Sequence, residues 1–250
     1  MSNFSEIQKS QEDQYSFPHH YVPRYRNGFS TVVYSGFGIN YVSTIEFLLN
    51  KLNELEFSSL CDIGTGDGRL VKEISETFPG KVIFGLDYSE KAINIAKGLN
   101  PFLNFIQANI INDNIEKKFD VLTLIEVFEH IPLNETKQFV SSLHKLLNKN
   151  GILLVTVPHI NKALSKKHYQ HFSVNSLSDN FKEYFSIEEI VTFEKIKNWR
   201  IFFFRRLLKN KLFILNNKSI LNCIYRSYKR KCFFTDEKSC SRIFLKLKKK

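Results

Sequence analysis

The chain has 250 residues, of which 36 are Lys or Arg and 25 are Asp or Glu, for a formal net charge of +11. This length suits one large α/β domain, and a composition of 43% hydrophobic and 24% charged residues excludes a mainly disordered chain. The charge is uneven, because residues 1–160 carry 14 basic and 18 acidic side chains, whereas residues 161–250 carry 22 and 7. We therefore expect any anionic partner to bind the last third of the chain.

Targeting signals and cysteine spacing bear on where the protein works. No apolar run is long enough to span a bilayer, and residues 1–16 lack the apolar stretch of a secretion signal. The four cysteines include no C-x-x-C pair, which argues against a disulfide framework or a zinc module. We expect a cytoplasmic protein, either free in solution or peripheral to the membrane.

Helical and strand patterns alternate along the chain. Residues 1–38 are predicted to be an N-terminal arm or lid. Helical periodicity follows at 40–55, 69–78, 89–99 and 135–147, and short buried strands are predicted at 57–63, 81–87, 103–107, 120–125, 152–157, 184–193 and 241–249. Strands that are apolar on both faces and alternate with helices predict an α/β fold with a doubly wound, mostly parallel sheet.

The same patterns predict three parts. We expect the arm at 1–38, a core formed by 39–193 together with 241–250, and a basic, aromatic helical insertion at 194–240.

A glycine cluster carries the sharpest chemical signal. The run Asp62-Ile-Gly64-Thr-Gly66-Asp-Gly68 lies between a predicted strand and a predicted helix, where alternate glycines let the backbone approach a ligand closely. Asp87 ends the next strand, and a carboxylate there can accept hydrogen bonds from both ribose hydroxyls of an adenosine ligand. Asp62 and Asp67 would repel a pyrophosphate but attract a cationic amino-acid group. The loop therefore favours S-adenosylmethionine over NAD.

Here the sequence resembles the class I S-adenosylmethionine-dependent methyltransferases, in their small-molecule, glycan or quinone-type O-methyltransferase branch. The similarity covers roughly residues 42–193 and the last strand, through DIGTGDG, LDYSEKAI, FIQANI, FDVLTLIEVFEHI and GILLVTVPH. The resemblance implies a Rossmann-like, seven-stranded sheet.

The resemblance also implies a set of cofactor-binding residues. Asp62, Gly64 and Gly66 would surround the methionine part, and Asp87 would bind the ribose. Tyr88 would lie against the adenine, with Asn109 and Ile110 at its edge, and Glu126 completes the cofactor-binding set. Position 109 is commonly Asp in the family, and we expect the side-chain oxygen of Asn109 to accept from the adenine amino group instead.

Acid and histidine side chains follow the fourth and fifth strands, where the ligand crevice of such a sheet opens. We predict His130 as a general base that removes a hydroxyl proton, with Glu129 and His171 as further catalytic residues. The alternative is that EVFEH has a structural role, in which its Glu caps a turn and its His packs.

The E-x-x-E-H pattern also resembles the metal-binding set of small-RNA terminal 2′-O-methyltransferases. Glu126, Glu129, His130 and His171 could supply its ligands. We predict no metal and keep this set as an alternative. His19, His20 and Tyr21 could close over the site from the arm.

Residues from Lys195 onward hold 18 Lys or Arg against Asp236 and Glu237. Trp199–Leu215 interleaves aromatic and basic residues, and 219–231 places Ile220, Leu221, Ile224, Tyr225 and Tyr228 on one helical face. Peripheral membrane contact through 199–231, RNA binding and a packed helical subdomain are the three interpretations. RNA is the weakest, because no RNA-binding module is recognisable.

Together these patterns predict a methyltransferase acting on a hydroxyl of a sugar, lipid-linked molecule or other small molecule. An RNA 2′-O-methyltransferase with a metal site and an inactive, cofactor-binding partner subunit are the alternatives.

Overall fold

The computed structural model describes Gln8, residues 38–208, Phe213, Leu215 and residues 217–250. The predicted arm, with His19, His20 and Tyr21, lies outside the described residues except for Gln8 and Gly38.

Helices and strands alternate in the described residues. The strands are β1 (Ser59–Ile63), β2 (Val82–Asp87), β3 (Asn104–Gln107), β4 (Phe119–Ile125), β5 (Leu147–Pro158), β6 (Phe185–Lys195) and β7 (Cys240–Lys249). The α-helices are α1 (Gly38–Asn53), α2 (Arg69–Thr77), α3 (Glu90–Leu99), α4 (Thr136–Leu146), α5 (Val174–Phe181), α6 (Trp199–Leu208) and α7 (Lys218–Tyr228). Short 3-10 turns cover Phe128–His130 and Glu237–Ser239, and a π-helical turn covers Lys229–Phe233.

The strands form one seven-stranded sheet in the order β3-β2-β1-β4-β5-β7-β6. The ladders from β3 to β5 are parallel, whereas β7 runs antiparallel to β5. This confirms the predicted fold class. The chain order reverses at β1, so the crevice beyond the carboxyl ends of β1 and β4 is the expected ligand position.

Continuous burial explains why these segments form central strands. In β1, Leu60 to Ile63 are all buried, and in β4 four consecutive residues, Val121 to Leu124, are buried. Helices cover both faces of such strands, so nearly every residue is apolar instead of every second one. The main core cluster extends from these strands to Phe128, Phe139 and Phe181.

Two elements differ from the sequence expectation. Helix α5 was not predicted from the sequence. Ser173 and Ser176 form a capping box at its start, but the helix buries only Leu177 and Phe181. Strand β5 begins at Leu147, five residues before the predicted 152. The first residue pair of the β4–β5 ladder joins Phe119 to Leu147. Asn150 follows with a left-handed φ of 65°, and because of this irregularity the sequence pattern did not indicate the first part of the strand.

The described residues divide into two compact units. One contains residues 56–191 and 242–250, and the other contains 38–55 and 192–241. Helix α1 therefore lies in the second unit, whereas the division inferred from sequence assigned 39–55 to the core. No helix in the described ranges is long and apolar enough to cross a membrane.

Candidate active site

The glycine loop after β1 is held to the end of β2 by backbone hydrogen bonds. Gly64 N and Thr65 N both donate to Leu86 O, at 2.7 and 3.0 Å, and Gly66 N donates to Asp87 Oδ2 at 2.9 Å. The glycine loop and Asp87, which were predicted from separate motifs, are therefore joined by a hydrogen bond.

A side chain at position 64 would be strained and would displace Val127. The φ of Gly64 is 74°, and a Cβ would lie 2.4 Å from Val127 Cγ2, well inside van der Waals contact. Val127 belongs to the EVFEH segment, so this close approach places the glycine loop directly against the turn that carries the predicted catalytic residues.

Two buried acidic side chains belong to the glycine loop. Asp62 and Asp67 are 3% and 1% exposed, and Thr123 Oγ1 donates to Asp62 Oδ1 at 2.7 Å. Asp67 Oδ1 accepts from Arg69 N, while the Arg69 side chain pairs with Glu73. This carboxylate-rich loop suits a cationic ligand group better than a pyrophosphate.

Asp87 is buried at the end of β2. Its two carboxylate oxygens accept from Gly66 N and from Ser89 N at 3.0 Å. A carboxylate at the end of this strand is the group that accepts hydrogen bonds from ribose hydroxyls in such folds. Tyr88 follows directly and is 36% exposed.

The turn after β3 carries the predicted adenine-edge residues. Ala108 N donates to Asp87 O at 3.0 Å, which brings this turn to the end of β2. Asn109 Oδ1 accepts from Ile111 N at 2.9 Å, and Asn109 N donates to Asp113 Oδ2 at 2.7 Å. Ile110 is buried. The side chain of Asn109 thus shapes the turn, and its contact with adenine stays a prediction.

Glu126 follows β4 in a left-handed conformation, with φ at 56°. Its carboxylate accepts from Arg242 Nε at 2.8 Å and from Thr156 Oγ1 at 3.2 Å. Burial raises the pKa of Glu126, but the Arg242 guanidinium, the charge of Lys162 and the Thr156 hydroxyl together lower it below its ordinary value. Sequence reasoning missed Arg242, because only the antiparallel β5–β7 register, which pairs Pro158 with Arg242, brings it here.

Replacing Arg242 with leucine is expected to lower the free energy of unfolding by about 2 kcal/mol, since Glu126 would lose a charged hydrogen-bond partner. Urea unfolding measures this change. The matched control is Lys182→Leu, which breaks the exposed Lys182–Asp179 pair and should cost less than about 0.5 kcal/mol. Equal losses in both variants would show that Glu126 is not stabilised by Arg242.

Three imidazoles meet beside the 3-10 turn Phe128–His130. His130 Nδ1 lies 2.7 Å from Lys167 O, and His171 Nδ1 lies 3.1 Å from Lys162 O. A carbonyl can only accept, so both Nδ1 atoms carry the proton. His171 Nε2 then accepts from His168 Nδ1 at 2.8 Å. This tautomer chain leaves a lone pair on Nε2 of both His130 and His168.

The histidines are held in the neutral form. Burial lowers the pKa of His130 and of His171, and burial together with the adjacent His130 and His171 lowers the pKa of His168 to about 3. Neutral imidazoles with exposed lone pairs are proton acceptors or metal ligands. His168, which sequence reasoning did not choose, therefore belongs to the cluster, and the H-Y-Q-H spacing of His168 and His171 was its signal.

Glu129 is 1% exposed and lies against the same histidines. Burial, followed by the negative charge of Glu126, raises the pKa of Glu129 well above its ordinary value. Its Oε2 is buried and has no hydrogen-bond partner in the described part of the chain. One ligand atom each from Glu129, His130 and His168 lie within 4.8 Å of one another. Glu126, by contrast, is directed to Arg242.

Comparisons with known proteins agree with this architecture. Residues 61–153 match the sequence model of a family described as methyltransferase domain. A protein-lysine N-methyltransferase of Saccharomyces cerevisiae is 29% identical over 132 residues, which cover 45% of this chain and 57% of that protein. A mitochondrial ubiquinone biosynthesis O-methyltransferase of Schizosaccharomyces pombe is 28% identical over 154 residues, covering 57% and 55%. The chain spans just over half the length of these curated relatives.

Solved structures share the fold at low identity. The N-methyltransferase NodS of Bradyrhizobium japonicum, in complex with S-adenosylhomocysteine, superposes with a TM-score of 0.64 at 11% identity, covering 98% of this chain and 99% of that one. Magnesium protoporphyrin IX methyltransferase of Synechocystis, with bound S-adenosylmethionine, gives 0.59 at 16% identity and full coverage of both chains.

Proposed function

We propose that this chain, whose core is a class I S-adenosylmethionine-dependent methyltransferase domain, methylates a hydroxyl oxygen of a sugar, lipid-linked molecule or other small molecule. One observation supports it above all: the close approach of Gly64 to Val127 sets the cofactor loop against the turn that carries His130, whose Nε2 keeps a lone pair because Nδ1 donates to Lys167 O. A methyl donor bound in the loop and a proton acceptor beside it are the two parts that such a reaction needs.

The cofactor loop would hold S-adenosylmethionine by charge and by hydrogen bonds. Asp62 and Asp67 favour its cationic amino-acid part, and Asp87 favours the ribose hydroxyls. Tyr88, Asn109 and Ile110 are proposed to enclose the adenine. When bound, the cofactor supplies a methyl group activated by the positively charged sulfur.

The acceptor hydroxyl would be oriented at the histidine cluster. Its oxygen would form a bond to the methyl carbon as the bond from that carbon to the sulfur breaks, which releases S-adenosylhomocysteine. The hydroxyl proton would pass to His130 Nε2, because Nδ1 is already committed to Lys167 O. His171 holds His168 in the tautomer that leaves a second acceptor lone pair. The protein contributes mainly positioning and this proton acceptor.

The charge of the cluster favours a hydroxyl over an amine. The relatives named above include both N- and O-methyltransferases. A lysine ammonium would need a negative partner at the acceptor site. Here Glu126 is neutralised by Arg242, and the raised pKa of Glu129 favours its neutral form. An uncharged acceptor group suits these surroundings better.

The proposal is tested by incubating the full chain with S-adenosylmethionine labelled on the methyl group and three acceptor panels. The first holds sugars, polyprenyl-linked sugars and phenols, the second lysine peptides, and the third short RNA with a 3′-terminal hydroxyl. Label in a hydroxyl compound supports the proposal. Label in a lysine peptide or in RNA would contradict a hydroxyl-bearing small molecule as the substrate. If the chain binds the cofactor but transfers label to no compound of any panel, the result supports the alternative that it is an inactive, cofactor-binding partner subunit.

A divalent cation is the second candidate for the acceptor site. Glu129, His130 and His168 offer two imidazoles and one carboxylate, a set common for Mn²⁺, Fe²⁺ and Zn²⁺. Lys167 O and His171 would orient the two histidines through Nδ1, as outer partners of metal-bound histidines do. The buried, unpartnered Glu129 Oε2 is the observation that favours this candidate.

Calorimetric titration of the chelator-treated protein with Mn²⁺ separates the two candidates. If the cation binds, Glu129→Gln and His168→Ala should each weaken binding by about tenfold or more. His144→Ala, in α4, is the matched control and should not change it. If Mn²⁺ does not bind and methyl transfer continues in the presence of a chelator, the metal candidate is excluded and His130 stays the proposed proton acceptor.

A further inference from the structure

Helix α6 is apolar on two opposite faces. Ile201, Phe204 and Leu208 are buried and form its inward face. Trp199, Phe202 and Phe203 lie on the other side, where they are 68%, 69% and 51% exposed. Soluble helices rarely leave three large aromatic rings together in water, and such clusters usually mark a contact surface.

The spacing of these residues places the three rings on one outer side of the helix. Positions 199, 202, 203 and 206 follow the i, i+3, i+4, i+7 pattern, so three rings and the exposed Arg206 lie along one line of the helix. Arg205 is also exposed, and the Arg200 guanidinium lies 4.4 Å from the Trp199 ring. We call Trp199, Phe202, Phe203 and Arg206 the aromatic–arginine face.

The unit that contains this face is positively charged. Its residues Arg226, Arg230 and Lys231 are exposed, while its described acidic residues are Glu46, Glu54, Glu194, Asp236 and Glu237, of which Glu46 pairs with Lys229 and Glu54 with Lys51. Glu194 is buried and accepts from Ser241. An anionic surface is therefore the complementary partner.

We propose that the aromatic–arginine face binds an anionic lipid bilayer. The Trp and Phe rings on one line of the helix would enter the interface side by side, while Arg206 on the same line meets the headgroup phosphates. Single-stranded nucleic acid is the less suitable occupant, because proteins that stack bases line a groove with their rings, and these rings project from one convex helix.

Vesicle flotation of the full chain tests the proposal. We expect binding to vesicles of phosphatidylcholine and phosphatidylglycerol in equal parts, weaker binding as salt is added, and little binding to phosphatidylcholine alone. Phe202→Ser with Phe203→Ser should lower the partition coefficient by about tenfold or more. Arg206→Gln should lower it by about fivefold.

Phe102→Ser is the matched control, because Phe102 is 96% exposed and lies in the other unit. It should bind vesicles like the unchanged chain, and circular dichroism checks that each variant is folded. Undiminished binding by the double Phe variant, or equal binding to neutral vesicles, overturns the proposal. So does single-stranded RNA binding without vesicle binding, or self-association that the double Phe variant abolishes while vesicles never bind.

Discussion

Replacing Asp87 with alanine is expected to weaken S-adenosylhomocysteine binding by about hundredfold. The change removes the carboxylate proposed to hold the ribose, and it leaves Gly66 N and Ser89 N without their acceptor. The glycine loop would therefore lose both a ligand contact and the bond that fixes its position. Isothermal titration calorimetry measures the dissociation constant directly and needs no acceptor substrate.

Two further variants test whether the loss of affinity is specific to the Asp87 carboxylate: Asp87→Asn as an intermediate and Asp179→Ala as the control. The asparagine oxygen can still accept one of the two backbone bonds, so Asp87→Asn should fall between the unchanged chain and Asp87→Ala. Asp179 is an exposed carboxylate of α5, and its removal should leave affinity unchanged. Full affinity in Asp87→Ala would contradict the ribose assignment while leaving the fold intact.

Replacing His130 with alanine is expected to slow methyl transfer by about 10²- to 10⁴-fold, the usual contribution of a positioned proton acceptor. Affinity for S-adenosylhomocysteine should change little, since His130 is not among the residues proposed to bind it. Single-turnover transfer to the best hydroxyl compound of the acceptor panel measures the effect. His144→Ala is the control, and an equal loss there would point to folding instead of chemistry.

The pH dependence follows from the same residue. An imidazole accepts a proton only when it is neutral, which is above its pKa. Burial lowers the pKa of His130 below its ordinary 6.5, so the active form persists in weakly acidic solution. The transfer rate should hold as pH falls through 6.5 and decline only when it falls through the lowered pKa. A decline centred above 6.5 would contradict the buried environment of His130.

Local patterns predicted much of the fold and the cofactor side of the site. Apolar strands such as β1 and β4 are continuous in sequence, and the helix predicted at 89–99 is observed as α3, with Ser89 accepting from Ala92 N at its start. Asp62, Gly64, Gly66 and Asp87 also lie close to one another in the structure, because each follows or ends a parallel strand whose carboxyl end opens on the crevice.

The acceptor side depended on contacts between distant segments. Glu126 was predicted to bind the cofactor or a metal, yet its carboxylate is bonded to Arg242, 116 residues later. His168 lies close to His130, at 4.7 Å between ring centroids, because Tyr169 N donates to Glu129 O and holds the two segments together. No local periodicity reports such bonds, since they join a strand end to a loop and to an antiparallel strand far away in the chain.

The sequence by itself determined the α/β class, the glycine loop and the ribose-binding acid, since these follow from periodicity and from residue types at short, fixed spacings. Only the tertiary structure decided which charges of the acceptor site are neutralised, which histidine nitrogens keep a lone pair, and which side of the Trp199–Leu208 helix is left in water. Those properties depend on burial and on hydrogen bonds between segments far apart in the chain, and such contacts exist only once the sheet is assembled.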